Sequence, residues 1–221
     1  MKKTLLLKLL ATKKLKINNG LISLNDSYFN LLPTIFVSSL VEYFYSRDEL
    51  YKLYLISWFW GYDAVNTVKT ELGLEKPEKI YSIGMNFAES EGLGLYRTDD
   101  YYPGEYTKFK IKTNPYHRHM KLEKFNQPID YFISGAMAGG GSHVHQAVCQ
   151  NIETQCKVQG EKECEFITGT HDELRDRGLW NEAEKRYNLE KIIDFQEEVF
   201  NNYNKDKSEE FVEQLNKIIT E

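Results

Sequence analysis

The stretch NIETQCKVQGEKECEFITG, residues 151–169, gathers Glu153, Cys156 and Cys164 within twelve residues around Gly160. A glycine between two runs of this kind predicts a hairpin. A hairpin turning near Gly160 lays Cys156 nearly opposite Cys164. Cross-strand neighbours are roughly 4.5–5.5 Å apart, so both sulfurs reach one ion at about 2.3 Å each. Glu153 is harder to place. An offset of three on a regular strand points two side chains to opposite faces, so Glu153 joins the thiols only if the strand bulges or ends between them. Two thiolates and a carboxylate suit zinc. Ordinary core thiols, or a disulfide or redox pair, stay open as alternatives. A fourth ligand has to come from elsewhere: Asp130, His143, His145, Cys149 or water.

The rest of the chain bounds the setting. Its 221 residues are enough for one large domain, or one domain with an appendage. The aromatic share of 14% favours a large core or an apolar cavity. A net charge of −5 gives no basic field for nucleic acid. Three cysteines, an odd count, do not form a secreted disulfide framework. The N-terminal MKKTLLLKLLATKK imitates a signal peptide, but Lys8 breaks its apolar run and no cleavage site follows. It reads as a first helix or an amphipathic lead-in. No run is long enough for a transmembrane helix, and a cytoplasmic protein is expected.

Local signals order the elements. Asn19-Gly20 within KLKINNGLISL predicts a hairpin, and a helix follows from Pro33. Residues 47–72 give the longest helical pattern, with Leu55, Trp58, Tyr62, Val65 and Val68 in one stripe and Gly73 as the stop. Another helix starts near Pro77. Two strands then flank Pro103-Gly104, the second with Thr107, Phe109, Ile111 and Thr113 inward and Lys108, Lys110 and Lys112 outward. Residues 128–140 predict a helix that Gly139-Gly140-Gly141 ends, its small residues permitting close packing against a sheet or a partner. The metal-candidate hairpin comes next. Residues 171–221 are charged and helical, with Leu189, Ile192, Ile193, Val199, Phe200 and Tyr203 on one amphipathic face and Phe211, Leu215, Ile218 and Ile219 on another. The order is that of an α+β fold, an antiparallel sheet packed by helices, over residues 1–170, with a C-terminal helical extension.

The segment ISGAMAGG, then HVHQAV, then Glu153-Thr-Gln-Cys156, Gly160 and Cys164-Glu-Phe166 resembles the C-terminal half of the 4-vinyl reductase domain. That small-molecule-binding family is related to the sensor domains of phenol- and xylene-responsive activators and, more distantly, to subunits of the TRAPP vesicle-tethering complex. The Glu-x2-Cys-x7-Cys spacing matches the zinc site of the phenol-sensor relatives. The further Cys that opens their preceding helix is replaced here by Asp130, after Pro128-Ile129. Asp is a competent zinc ligand, although two sulfurs and two oxygens should bind zinc less tightly than three sulfurs and one.

The resemblance implies a homodimer, a structural zinc on Asp130, Glu153, Cys156 and Cys164, and a buried apolar pocket for a hydrophobic or aromatic small molecule. That pocket is expected between the long helix and the sheet. From facing and chemistry, Trp58, Tyr62, Phe132 and Met137 are expected to line it. A sensor-like binding module is the leading expectation. A reductase acting on a tetrapyrrole vinyl group is the second, disfavoured because Gly92-x-Gly94 lacks the third glycine of a dinucleotide fingerprint. A structural adaptor subunit is the third.

Overall fold

The computed structural model describes residues 9, 11–18, 21–24, 27–29, 34–90, 92–204, 206 and 208–220. Strands β1 (Leu15–Asn18), β2 (Leu21–Leu24) and β3 (Ser27–Phe29) form a small antiparallel sheet in that order. The first expected hairpin is present, with Asn18 opposite Leu21. Its turn, the lead-in before Leu9 and Pro33 lie outside the described residues.

Helices α1 (Thr34–Tyr45), α2 (Leu50–Leu72) and α3 (Pro77–Ser90) follow. Helix α2 stops where predicted. Gly73 takes φ 62°, the left-handed conformation that frees its N–H to reach back to Thr70 O. Strands β4 (Leu95–Tyr102) and β5 (Tyr106–Thr113) flank Pro103-Gly104 as expected. Two short 3-10 turns, Tyr116–His119 and Leu122–Lys124, lead into α4 (Tyr131–His145). Strands β6 (Cys149–Gln155) and β7 (Cys164–Thr170) complete a second sheet, entirely antiparallel, in the order β4-β5-β7-β6. Helices α5 (His171–Asp176), α6 (Trp180–Tyr187), α7 (Leu189–Asn202) and α8 (Ser208–Thr220) end the chain. No helix among the described residues is long and apolar enough to cross a membrane.

Alternation sorts the larger sheet into two faces. Phe109 pairs with Phe166, and Ile111 with Cys164, on the face that helices cover. Lys108 and Lys110 point the other way, each 3.1 Å from a Glu165 carboxylate oxygen. The C-terminal helices lay their apolar faces on the same core. Tyr187, Ile192, Val199 and Phe211 are buried in it, and the Tyr187 ring stacks on Tyr54 at 3.8 Å.

Helix α4 departs from expectation. It runs through Gly139-Gly140-Gly141, expected to end it, to His145, and HVHQAV supplies its last turn and the connection to β6. The reason is close contact, mostly with α2, while Gly141 lies against Thr168 of β7. A Cβ on Gly135 would collide with Tyr54 O and the Ser57 hydroxyl, and one on Gly139 with Trp58 O. On the facing helix, a Cβ on Gly61 would strike Ala136 O. The two backbones therefore touch, running side by side in the same direction. This packing outweighs the roughly 0.5–1 kcal/mol that each helical glycine costs against alanine. Near the end of α4, His143 Nε2 lies 3.1 Å from Tyr62 O, its ring 4.1 Å from that of Tyr62.

Two predictions follow from this contact. Gly139→Ala should lose several kcal/mol of stability or fail to fold. Gly84→Ala on α3, where a Cβ meets only Val65 Cγ2 at 3.9 Å, should gain about 0.5–1 kcal/mol; urea unfolding compares them. Burial pushes the pKa values of His143 and His145 down to about 4, below the ordinary 6.5 of an unfolded chain. Both imidazoles therefore contribute stability that is complete above about pH 6.5 and is lost as pH falls toward 4. His143→Gln should flatten the decline of the urea midpoint across that window, by at most about 3 kcal/mol at its acid end.

Candidate metal centre and ligand cavity

Four buried side chains converge where α4 begins and the β6–β7 hairpin turns. Asp130 stands at the N-cap of α4, Glu153 and Cys156 lie at the end of β6, and Cys164 opens β7. One ligand atom from each lies within 4.8 Å of all the others. The condition on Glu153 is met. Glu153 pairs with Phe166 and Gln155 with Glu165, so Thr154 is an extra residue in β6, a bulge that turns Glu153 and Cys156 to the same side. Past Cys156 the chain makes a 3-10 turn, Lys157–Gln159, and Gly160 closes it with φ 92°. All three cysteines are free thiols.

The alternative fourth ligands lie elsewhere. His143 faces Tyr62 O. His145 Nε2 sits 3.0 Å from Thr107 Oγ1. The Cys149 thiol is buried beside Ser142, and burial raises its pKa strongly.

The electrostatics of the four fit a cation. Burying a carboxylate without a partner is costly, yet both Glu153 oxygens and Asp130 Oδ2 make no hydrogen bond. Burial pushes the Glu153 carboxyl well up, with Asp130 adding to the effect. Asp130 itself is held below the usual carboxylate range, despite a burial effect in the opposite direction, by His117. His117 Nε2 lies 2.9 Å from Asp130 Oδ1, and Asn114 Nδ2 donates to the same oxygen at 2.8 Å. This arrangement orients Asp130 as a metal-bound carboxylate is oriented by its outer partners. The hydrogen bond with Cys164 lowers the Cys156 thiol to about 6, and its counterpart raises Cys164. Two sulfurs and two carboxylate oxygens, poor in hydrogen bonds and rich in negative charge, are a donor set for zinc.

Sequence reading missed the supporting residues. His117 reaches Asp130 from the 3-10 turn Tyr116–His119. Arg186 on α6 donates from Nη1 to Glu153 O at 3.0 Å. Neither has a local signal, because each reaches the cluster from a distant segment.

A cavity of about 90 Å3 lies between α2, α3, α4 and the sheet. Its walls are Gly61, Ala64, Val65 and Val68 of α2, Ile80, Gly84, Met85 and Ala88 of α3, Phe109 of β5, and Ala136, Met137, Gly140 and Val144 of α4, among others. Of the four residues expected to line it, Met137 does. Trp58, Tyr62 and Phe132 are placed elsewhere. Trp58 Nε1 donates to Cys149 O at 3.2 Å, the Tyr62 ring packs against Tyr203 and His143, and Phe132 packs against Trp60 and Tyr116. Helix α2 is buried on most of its circumference, so its apolar stripe does not reveal which side meets the cavity.

No family model matches the chain, and no curated protein matches it in sequence. Solved structures do match. One is the phenol-responsive sensory domain of the transcription activator PoxR, in complex with phenol: TM-score 0.62, 16% identity, over 76% of this chain and 92% of that one. A vinyl-4-reductase family protein from Methanocaldococcus jannaschii also matches, with TM-score 0.40 and 20% identity over 63% of this chain and 82% of that one. The chain shares its α+β fold, an antiparallel sheet packed by helices, with that phenol-responsive sensory domain.

Proposed function

We propose that this chain is a cytoplasmic, sensor-like module that holds a hydrophobic or aromatic small molecule in the cavity, with a structural zinc on Asp130, Glu153, Cys156 and Cys164. The observation that carries this reading is that α4 serves both places. Its N-cap supplies Asp130 to the cluster, and its body, from Ala136 to Val144, forms one wall of the cavity. A metal there would fasten the start of α4 to the β6–β7 hairpin and so fix that wall against the sheet. When bound, zinc supplies charge neutralisation and a cross-link between elements. The protein residues bring the donors together, with His117 and Asn114 orienting Asp130 and Arg186 steadying the strand that carries Glu153.

The cavity suits a small apolar guest. An engineered dry cavity of about 150 Å3 accepts benzene, so about 90 Å3 takes a ring of that size once side chains move slightly. Met85 and Met137, flexible and polarisable, are the wall residues best able to do so. Fold likeness to a sensory domain crystallised with phenol supports a binding role, and the resemblance to dimeric relatives supports a homodimer.

Native mass spectrometry with elemental analysis tests this reading. We expect a dimer with about one zinc per chain and a retained small mass that organic extraction removes. Cys156→Ser/Cys164→Ser should lose the zinc and lower Tm by about 10 °C or more, at about 2–4 °C per kcal/mol in a chain of this size. No zinc in the unaltered protein would overturn the metal centre. His117→Ala should keep the fold and weaken zinc about 10–100-fold in competition with a chromophoric chelator. Gly84→Leu should fill the cavity, so that the zinc stays and the retained mass disappears.

A further inference from the structure

The two sulfurs of the cluster belong to cross-strand neighbours. The β6–β7 register sets Gln155 opposite Glu165, and one step further brings Cys156 opposite Cys164. Cα atoms of such a pair are about 4.5–5.5 Å apart, inside the roughly 4.4–6.8 Å that a disulfide spans. The sulfurs themselves lie within 4.8 Å of each other, and the Lys157 N–H donates to Cys164 Sγ at 3.5 Å. The third cysteine is remote from the pair, because Cys149 lies opposite Thr170 at the far end of the two strands. Both side chains of the pair are buried, yet they flank a turn whose residues 159–162 are exposed.

A cation and a disulfide would tie different parts together. A cation on all four donors joins three segments: the N-cap of α4, the end of β6 and the start of β7. A disulfide between Cys156 and Cys164 joins only the last two, which are already paired. It also consumes both sulfurs at once. Asp130 and Glu153 then remain alone, with Asp130 Oδ2 and both Glu153 oxygens making no hydrogen bond. Two carboxylates without a soft donor are a poor zinc site. Disulfide formation and loss of the cation are thus one event, which frees the start of α4 while the hairpin stays shut.

We propose that Cys156 and Cys164 form a redox switch for a hydroperoxide, and that their oxidation to a disulfide unfastens α4 from the hairpin. This rests on the reading of the cluster as a zinc site. With hydrogen peroxide the chemistry balances. One thiolate sulfur attacks a peroxide oxygen, an S–O bond forms, the O–O bond breaks, and the hydroxide released takes a proton to give water. The other thiolate attacks the sulfenic sulfur, the S–S bond forms, the S–O bond breaks, and a second hydroxide leaves and is protonated. The thiolates lose two electrons, and the peroxide gains them with two protons from solvent.

The test treats the full-length, zinc-loaded protein with a few equivalents of hydrogen peroxide. A chromophoric chelator follows released metal, peptide mass mapping follows cysteine pairing, and hydrogen exchange follows backbone opening. The expected result is zinc released in step with the Cys156–Cys164 disulfide, about one for one. Amides of residues 134–137 in α4 should exchange about tenfold faster or more, while those of Ile152 and Phe166 in the hairpin keep their rates. Dithiothreitol with added zinc should restore the starting state, and Cys149→Ser should respond as the unaltered protein does. Zinc kept after peroxide, or sulfinic acid on one cysteine without a cross-link, would overturn the switch and leave the zinc site standing. A response lost in Cys149→Ser would overturn the assignment to this pair. Equal acceleration in the hairpin and in α4 would overturn the selective release of the helix. Zinc missing from the untreated protein would overturn the switch and the zinc reading together.

Discussion

Backbone contact between α2 and α4 is the constraint on which the rest of this molecule depends. Gly135 and Gly139 lie against the carbonyls of Tyr54 and Trp58, and Gly61 against that of Ala136. Two helices this close behave as one thick rod. Its N-terminal end on the α4 side delivers Asp130 to the hairpin. Farther along, the small residues that permitted contact leave little side-chain volume, and space opens toward α3 and the sheet. The same glycines therefore place the metal candidate and make room for the cavity.

Electrostatically the two places are opposites. The cluster concentrates carboxylates and thiols in a buried spot where only a cation, or protons, can balance them. The cavity is lined mostly by apolar side chains. The tie between them is mechanical, through α4. Without a cation, Glu153 and Asp130 are left to repel each other at one end of a helix whose other face lines the cavity. The stability of the cluster and the shape of the cavity are then properties of a single element.

Much of this was legible in the chain and some was not, for identifiable reasons. Glu153, Cys156 and Cys164 are readable because they are local, and their spacing itself requires a bulge if Glu153 is to join the thiols. Asp130 came from the resemblance, since no spacing rule joins it to a hairpin twenty residues on. Gly73 and Gly104 marked their turns through left-handed geometry. The glycine run at 139–141 misled because glycine ends helices when exposed, whereas here Gly139 and Gly140 lie against another helix and Gly141 against the sheet. Trp58 and Tyr62 are assigned to the pocket from facing and chemistry, but an apolar stripe does not settle direction on a helix enclosed on most sides. His117, Asn114 and Arg186 were invisible because their roles depend on tertiary approach alone.

The edge of the larger sheet at β6 carries a last consequence. Main-chain groups on such an edge usually face solvent, but here side chains occupy them. Trp58 serves Cys149 O, the Tyr54 hydroxyl accepts from Asn151 N, the Ser142 hydroxyl accepts from Cys149 N, and Arg186 serves Glu153 O. Three of these come from elements made before the strand, and the fourth from one made after it. Until residue 186 has been made, the Arg186 contact at the candidate-metal end of β6 cannot form. Strand ends of that sort are where nascent chains pair with the wrong neighbour. The C-terminal helices thus complete the protection of this edge, and the final closure of the sheet waits for them.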